Sequence, residues 1–215
     1  IIPYGGGTGL VGGQIQDKGP SGILLSLERM NKIRSLNSDE NVITVEAGVI
    51  LSNLRDAAEE AKRIFPLSLA SAGTAQIGGN LATNAGGVNV LRYGSTRNLC
   101  LGLEVVFADG SIWNGLSRLH KDNTGYDLKN LIIGSEGTLG IITAATMKLF
   151  SKPLEHTVAL IAVKSPKAAL KLLSETKNYF GETISAFELI NRMGIDFLNE
   201  TKIDVKVPFS KISEW

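Results

Sequence analysis

The sequence is poor in the residues that mark several classes of protein. It has one cysteine, Cys100, which excludes an internal disulfide framework and fits a reducing compartment. Its 22 Lys and Arg residues are balanced by 21 Asp and Glu residues, so it lacks the basic footprint of a nucleic-acid-binding protein. No apolar run approaches the roughly 18 residues that a membrane-spanning helix needs. The composition is therefore that of a globular protein. We expect no nucleic-acid partner and no integral membrane segment.

Candidate catalytic and metal-binding side chains are also scarce. The two histidines, His120 and His156, share no ligand spacing with each other or with Cys100, so no metal site is predicted. His120 lies in the polar run of residues 118–121 and is interpreted as a solvated loop residue rather than a base. Glu136 is interpreted as a structural, hydrogen-bonding carboxylate rather than a catalytic acid. We therefore predict no catalytic residue in this chain.

Glycine is abundant but unevenly distributed, since 22 of the 24 glycines precede residue 151. Glycine is costly inside helices and strands, and it is used where the backbone turns sharply or approaches a ligand. The first 150 residues are therefore predicted to be rich in loops and to bind a ligand. We expect a domain boundary near residues 151–153. The start at Ile1 and the end at Trp215, without a finishing element, are what we expect of a fragment.

Alternation and turn signals give a coarse map of the elements. A helix is predicted over residues 52–63, capped by Ser52, and Asp109-Gly110 is predicted to be the two-residue turn of a hairpin. A short helix is expected over residues 128–133, with Asp127 near its start. The strands predicted before the boundary span residues 23–27, 42–46, 102–108, 111–114 and 139–150. Beyond it, the pattern predicts strands at residues 156–163 and 184–189 and helices at 166–180 and 192–198, the opening of a second α+β domain.

The first glycine-rich loop imitates a known fingerprint. Residues 7–12 fit G-x-G-x-x-G, which opens a helix in dinucleotide-binding Rossmann folds. Three glycines and one proline among residues 13–22 would not hold that helix, and no Gly-Lys-Ser/Thr follows for a Walker loop. Residues 5–9, with the Thr8 hydroxyl, can instead form a nest of backbone N–H groups around a pyrophosphate. Taken alone, the loop leaves open a glycine-rich turn without a ligand.

Two further segments combine glycine with amide and hydroxyl side chains. Residues 72–87 hold five glycines, two asparagines and two threonines, which suit a large neutral ring better than a metal. We expect this segment to be a loop, and compact domains rarely keep so long a loop without a function. The third segment comprises residues 124–127 and 134–143, where a strand starting at Leu139 offers backbone groups to a ligand.

These segments carry a specific resemblance. Residues 3–10 (PYGGGTGL), 77–87 (IGGNLATNAGG) and 134–141 (GSEGTLGI) resemble the FAD-binding domain of the vanillyl-alcohol-oxidase/PCMH flavoprotein family. Within this family the chain most resembles the D-2-hydroxy acid dehydrogenases. Residues 91–94 (LRYG) and 121–129 (KDNTGYDLK) are similar to D-2-hydroxyglutarate dehydrogenases, whereas D-lactate and glycolate relatives share the general pattern.

The resemblance implies an α+β fold and a set of cofactor contacts. Residues 1–150 would be an N-terminally truncated PCMH-type FAD-binding domain of mixed and antiparallel sheets with flanking helices. Residues 151–215 would be the beginning of a C-terminally truncated α+β substrate-binding cap domain. Because Thr8 stands where some relatives attach FAD covalently to a His, we expect noncovalent FAD. The cofactor-binding residues implied are Pro3, Tyr4, Gly5, Gly6, Gly7, Thr8, Gly9, Leu10, Gly73, Ile77, Gly78, Gly79, Asn80, Thr83, Asn84, Gly87, Tyr93, Gly137, Gly140, Ile141 and Ile142.

The resemblance also implies a reaction. A D-2-hydroxy acid of the 2-hydroxyglutarate or lactate class would give a hydride from its Cα to flavin N5 and become the 2-oxo acid. The family's His base, its zinc site and its carboxylate-binding Arg and Lys would lie C-terminal to this chain, which alone is expected to hold FAD without turning over substrate. The implied electron acceptor is an electron-transfer flavoprotein, a quinone or a cytochrome, and a homo-oligomer stays open. The implied compartment is the bacterial cytoplasm or the mitochondrial matrix.

Two alternatives remain at this point. One keeps the fold and changes the reaction, to a reductase of the UDP-N-acetylenolpyruvoylglucosamine type, although the long run of residues 77–87 argues against it. The other is a flavin-binding module without catalytic activity. Turnover with NADPH would favour the first alternative, and flavin binding without reduction by any 2-hydroxy acid would favour the second.

Overall fold

The structure is a computed structural model that describes residues 1–16, 19 and 22–201. The chain forms two compact units, Ile1–Lys152 and Pro153–Trp215. The end of the predicted cap domain, residues 202–215, lies outside the described residues. The division between the units falls where glycine becomes rare, and the functions assigned to the two domains stay predictions.

The first unit combines strands with short helices. Its strands are β1 (Ile2–Tyr4), β2 (Leu24–Ser26), β3 (Ile33–Asn37), β4 (Val42–Glu46), β5 (Arg63–Ile64), β6 (Cys100–Val106), β7 (Ile112–Gly115), β8 (Ile141–Lys148) and β9 (Phe150–Ser151). Its helices are α1 (Leu51–Glu60), α2 (Ile77–Ala82), α3 (Val90–Tyr93), α4 (Thr96–Leu99) and α5 (Leu128–Ile132).

A five-stranded sheet in the order β3-β4-β8-β6-β7 forms the centre of this unit, and every neighbouring pair is antiparallel. In the middle strand, β8, Met147 lies opposite Ile43 of β4, and Ala145 lies opposite Leu103 of β6. Strands β4 and β8 are buried almost from end to end rather than at alternate residues, because both faces of the sheet are covered. The sheet thus anchors the core from which the ligand-facing segments extend.

Helix α1 packs against this core and corrects one prediction. Leu51, Leu54 and Ala58 are fully buried on one helix face. The helix begins one residue before the predicted Ser52, with Ile50 at the N-cap position and no side-chain cap. It ends before the predicted residue 63, because Lys62 adopts a left-handed conformation with φ +57° and turns the chain into β5.

The predicted hairpin is confirmed, but its turn is longer than expected. Strands β6 and β7 pair antiparallel, with Val106 opposite Ile112. The N–H of Phe107 donates to the Ser111 carbonyl at 2.9 Å, so three residues form the loop instead of two. Gly110 has φ +82°, as expected for a three-residue hairpin loop that ends in the left-handed region.

Two other predicted strands are shorter in the structure. The strand predicted at residues 23–27 is β2, which pairs in parallel with β1. The strand predicted at residues 139–150 ends at Lys148, and Phe150 belongs to β9, which pairs with β5 in a separate two-stranded sheet. The backbone N–H of Leu149 donates to the carbonyl of Asn41 at 2.8 Å, and this contact marks the change of sheet.

The glycine-rich segments contain more regular structure than predicted. Residues 72–87 were expected to form a loop, but α2 occupies the middle of the segment, with Ile77 and Leu81 fully buried. Burial of these side chains offsets the low helix propensity of two glycines. The short helix at residues 128–133 is confirmed as α5, and the Asp127 carboxylate accepts a hydrogen bond from the Asn130 N–H at 3.2 Å.

The second unit contains α6 (Pro166–Phe180) and α7 (Arg192–Glu200), which confirm the two predicted helices there. Ser165 caps α6 by accepting from the Ala168 N–H. The strands predicted at residues 156–163 and 184–189 are wrong, because neither segment has a hydrogen-bonding partner strand among the described residues. In the part of the chain that the structure describes, no helix is long and apolar enough to cross a membrane.

An ionic network covers one face of the central sheet. The Arg34 guanidinium on β3 donates to both carboxylate oxygens of Glu104 on β6, at 3.0 and 3.1 Å, and to Glu46 at 3.3 Å. The Thr143 hydroxyl on β8 also donates to Glu104, at 2.8 Å. The hydrogen bonds from Arg34 hold the pKa of Glu104 below its ordinary value.

This network makes the stability of the first unit depend on pH. We expect Glu104→Gln to lower the free energy of unfolding at neutral pH by about 1 kcal/mol, because it replaces a charge-assisted, two-pronged contact. A lowered folded-state pKa contributes stability that is present above the unfolded-state pKa and is lost as the pH falls through the folded value. The difference between wild type and variant should therefore shrink below pH 4.5, the ordinary pKa of the group. Urea unfolding across pH measures it.

The matched control is Glu40→Gln, which breaks the exposed Arg118–Glu40 ion pair. Exposed pairs contribute little, so this variant should match wild type at every pH. If the unfolding free energy of Glu104→Gln stays below that of wild type by the same amount at every pH down to the acid transition, the carboxylate stabilises the sheet by its shape and not by its charge.

Candidate functional site

Residues from all three glycine-rich segments line one cavity of about 310 Å³ within the first unit. This volume lies at the lower end of the range for small-molecule sites. The predicted residues that line the cavity are Pro3, Tyr4, Gly5, Gly6, Gly7, Thr8, Gly9, Gly78, Gly79, Asn80, Thr83, Gly137, Gly140, Ile141 and Ile142. Most of the residues taken from the resemblance are thus brought together, although their contacts with a cofactor stay predictions. Residues 124–127, the first part of the third segment, instead line a second cavity.

The first wall is the loop after β1, and no helix starts in its described residues. Gly7 has φ +67°, and any side chain at Gly6 would collide with the backbone carbonyl of Thr74. The Gln14 side chain donates to the Gly9 carbonyl at 2.9 Å and so braces the loop from within. The loop therefore presents backbone to the cavity, as a nest does.

The second wall is α2, whose two glycines have different surroundings. The N–H groups of Ile77 and Gly78 donate to the carbonyls of Val49 and Ala47, which fasten the helix to the segment after β4. A Cβ on Gly78 would lie 2.7 Å from the Ala47 Cβ, so this glycine permits close packing. A Cβ on Gly79 would meet no protein atom within 4 Å, so this glycine faces open space at the cavity wall.

Two buried side-chain carbonyl oxygens on this wall lack hydrogen-bond partners among the described residues. Gln76 Oε1 and Asn80 Oδ1 are buried and accept no hydrogen bond among the described residues. Both side chains are at least nine-tenths buried and both residues line the cavity, one turn of helix apart. Leaving such an acceptor unsatisfied costs about 1–3 kcal/mol, so the cavity is suited to a ligand that brings N–H or O–H donors. A flavin dinucleotide, with a ring N–H and several hydroxyls, has the donors that this wall lacks.

The third wall is the turn between α5 and β8. The N–H groups of Gly134 and Glu136 donate to the carbonyls of Leu81 and Ala82 at 3.0 and 2.9 Å, which attaches the turn to the end of α2. Gly137 has φ +79° and packs directly against Pro3, leaving no room for a side chain. These contacts bring the third wall against both of the others.

Six of the predicted residues do not line the cavity. Leu10 is fully exposed and Ile77 points into the core. Gly87, at φ +91°, packs against the Ser68 carbonyl, and Gly73 lies in open space outside the cavity. Asn84 follows α2 at φ +48°, and its Oδ1 accepts from the Ser95 hydroxyl at 2.9 Å and the Arg97 N–H at 3.0 Å. The geometry therefore makes Asn84 a brace between two segments.

The sixth residue, Tyr93, lines the second, wider cavity of about 1130 Å³. Its ring packs edge-on against Phe150 at 4.9 Å, and the Arg92 guanidinium lies 5.0 Å from its centre. His120 also lines this second cavity, without a hydrogen-bond or ion-pair partner among the described residues. Burial raises the pKa of the Cys100 thiol nearby to about 12, so this sulfur stays protonated and unreactive.

Several lining residues were missed by the sequence analysis. They are Val11, Gly13, Gln14, Leu27, Leu69, Ser71, Gln76, Ala82, Ala85 and Glu136. Gln76 could have been found from its position four residues before Asn80, had the helix been predicted. Glu136 was interpreted as a hydrogen-bonding structural carboxylate; its side chain makes no hydrogen bond to the described residues, and this role stays a prediction.

Comparison of the sequence with known proteins identifies a family and several relatives. The model of a family described as "FAD binding domain" matches residues 1–115. The chain is 44% identical over 202 residues to the mitochondrial D-2-hydroxyglutarate dehydrogenase of Danio rerio, covering 93% of this chain and 37% of that protein. It is 38% identical over 210 residues to the D-2-hydroxyglutarate–pyruvate transhydrogenase of Saccharomyces cerevisiae, covering 97% of this chain and 42% of that protein. The chain thus spans well under half the length of the curated relatives it matches.

A solved structure supports the same fold. The structure of an alkyldihydroxyacetonephosphate synthase aligns with a TM-score of 0.62 and 28% identity, covering 72% of this chain and 28% of that one. The α+β, PCMH-type fold implied by the resemblance is thereby confirmed, and so is FAD as the cofactor. Since the family model matches more than half of the sequence, the chain belongs to the FAD binding domain family.

Proposed function

We propose that this chain is the FAD-holding part of an oxidoreductase that converts a D-2-hydroxy acid into the 2-oxo acid. The observation that carries the proposal is a cavity lined by residues from three glycine-rich segments. In its wall, two buried side-chain carbonyl oxygens have no hydrogen-bond donor among the described residues. The names of both relatives include D-2-hydroxyglutarate, which supports this acid, or a close analogue, as the substrate class.

The first loop is suited to the phosphates of the cofactor. No Lys or Arg lines the described cavity, so the negative charge has to be met by backbone N–H groups and hydroxyls. We assign this role to residues 5–9, where Thr8 adds a hydroxyl donor. Because Thr8 cannot form the covalent link that a His forms, the cofactor is held noncovalently.

The other two walls would orient the two ends of the cofactor. Bound FAD supplies the oxidant of the reaction, and the protein's part is to hold it in place. Gln76 and Asn80 can accept from N–H groups, while Gly79 and Thr83 leave room for a flat ring beside the helix. To the backbone of Gly137, Gly140 and Ile142, which line the cavity, we assign contacts with ribose and adenine.

The partners and compartment follow from the same assignment. An acceptor must take the electrons from the reduced flavin, and the yeast relative's name adds pyruvate to the electron-transfer flavoprotein, quinone and cytochrome already considered. The zebrafish relative is named mitochondrial, which favours the mitochondrial matrix over the cytoplasm for this protein.

Flavin reduction in the full-length protein tests the proposal. Under anaerobic conditions, D-2-hydroxyglutarate is expected to bleach the flavin absorbance, and L-2-hydroxyglutarate should leave it unchanged. D-Lactate run in parallel separates the two substrate classes. Bleaching by NADPH alone would instead indicate a reductase, and stable flavin absorbance with every hydroxy acid would indicate a flavin-binding module.

A further inference from the structure

Glu136 occupies a backbone conformation that L-residues avoid. Its φ is +52°, and the other non-glycine residues with positive φ are Asn41, Lys62 and Asn84 among the described residues. Asparagine tolerates this region, and Lys62 occupies it where a helix ends. Glu136 is not an asparagine and does not end a helix, so neither explanation applies to it. Residues held in this region cluster at functional sites.

The strained conformation is imposed by the surrounding backbone. The Glu136 N–H donates to the Ala82 carbonyl at 2.9 Å, and the Gly134 N–H donates to the Leu81 carbonyl at 3.0 Å. On the other side, Gly137 packs against Pro3. A glycine at position 136 would satisfy the same contacts without strain, so the Glu side chain is not explained by the fold.

Glu136 is an exposed residue at the cavity, and its carboxylate has no partner in the part of the chain that the structure describes. It is the only side chain with a formal charge among the described lining residues, and no hydrogen bond or ion pair engages it there. It reaches across to the first loop, where Oε2 lies 3.2 Å from the position a Cβ would take on Gly13. The carboxylate therefore spans the gap between the third wall and the first.

A lone carboxylate selects one part of a dinucleotide. It repels phosphates, and it can accept two hydrogen bonds from a pair of neighbouring hydroxyls, as acidic residues do for ribose in other nucleotide sites. We infer that Glu136 binds the vicinal hydroxyls of the FAD, and by repulsion keeps the diphosphate on the glycine loop. This inference rests on the proposed cofactor site and deepens it.

Affinity measurements with cofactor pieces test the inference. Calorimetry is run on the chain and on Glu136→Gln with FAD, ADP, 2′,3′-dideoxy-ADP, FMN and lumiflavin. Loss of a charged hydrogen bond of about 1.5–3 kcal/mol lowers affinity by about tenfold or more, so FAD should weaken by that factor. If the ribose is the partner, ADP weakens equally and dideoxy-ADP does not. If the ribityl chain is the partner, FMN weakens and lumiflavin does not.

Controls separate binding from folding. Glu136→Gly should raise the melting temperature by removing the strain, yet bind FAD as poorly as Glu136→Gln does. Lys62→Gly relieves the same strain away from the cavity, and should raise the melting temperature with FAD affinity unchanged. The inference is overturned if Glu136→Gln loses equal affinity for ADP and dideoxy-ADP with no change for FMN, or if its affinity for every ligand is unchanged. Either result would leave the proposed cofactor site standing. Failure of the unaltered chain to bind FAD overturns the proposed site as well.

Discussion

Replacing Gly79 with alanine is expected to leave the fold intact, and even more stable, while FAD affinity falls by about fivefold to a hundredfold. The new methyl group would meet no protein atom within 4 Å, and Gly79 lies in the wall of the proposed cofactor cavity. Alanine in place of a helical glycine stabilises by about 0.5–1 kcal/mol. Crowding a packed ligand by one methyl costs about 1–3 kcal/mol, which is up to a hundredfold in affinity.

Gly78→Ala is the matched variant, one residue earlier in the same helix. Its methyl group would lie 2.7 Å from the Ala47 Cβ, so the helix would have to move away from the sheet. We expect a loss of about 1–3 kcal/mol in unfolding free energy. Thermal unfolding without ligand and calorimetric titration with FAD separate the two effects. A Gly79→Ala variant that binds FAD as tightly as wild type would show that the cofactor lies elsewhere.

The contrast between these glycines also marks what the sequence could and could not reveal. Residue types predicted only that the glycine-rich first 150 residues bind a ligand, and the resemblance to a flavoprotein family implied that the segments around Gly7, Gly79 and Gly137 share it. The residue types did not reveal α2, since two glycines argue against a helix. The helix forms because Ile77 and Leu81 are buried in the core, a tertiary effect that local propensity does not contain.

Because α2 was not predicted, the residues predicted for the site were also affected. With a helix in place, Gln76 and Asn80 lie one turn apart and face the cavity together, whereas Asn84 lies beyond the helix end. Without it, the sequence offers no means of telling Asn80 from Asn84. The strand predicted at residues 156–163 failed for a related reason, because pairing depends on a partner that alternation cannot specify.

Asn84 therefore gives a decisive test between a bracing and a cofactor-contacting role. Its Oδ1 accepts from the Ser95 hydroxyl and the Arg97 N–H, and its backbone is left-handed at φ +48°. We expect Asn84→Ala to lower the unfolding free energy by about 2–3 kcal/mol, from two lost hydrogen bonds and the strain of alanine in this region. Asn84→Gly also loses the two hydrogen bonds but avoids the backbone strain. Its unfolding free energy should therefore lie between those of wild type and Asn84→Ala.

Asn84→Asp distinguishes the two roles. An aspartate keeps the acceptor oxygen and tolerates the left-handed backbone, so as a brace it should unfold like wild type and bind FAD within about twofold of wild type. If the Asn84 amide instead donated to a phosphate, the introduced charge would repel it and cost about tenfold or more in affinity. Paired thermal unfolding and FAD titration of the three variants decide this. The bracing geometry predicts that stability falls in the order wild type and Asp, then Gly, then Ala, while FAD affinity stays level between wild type and Asp.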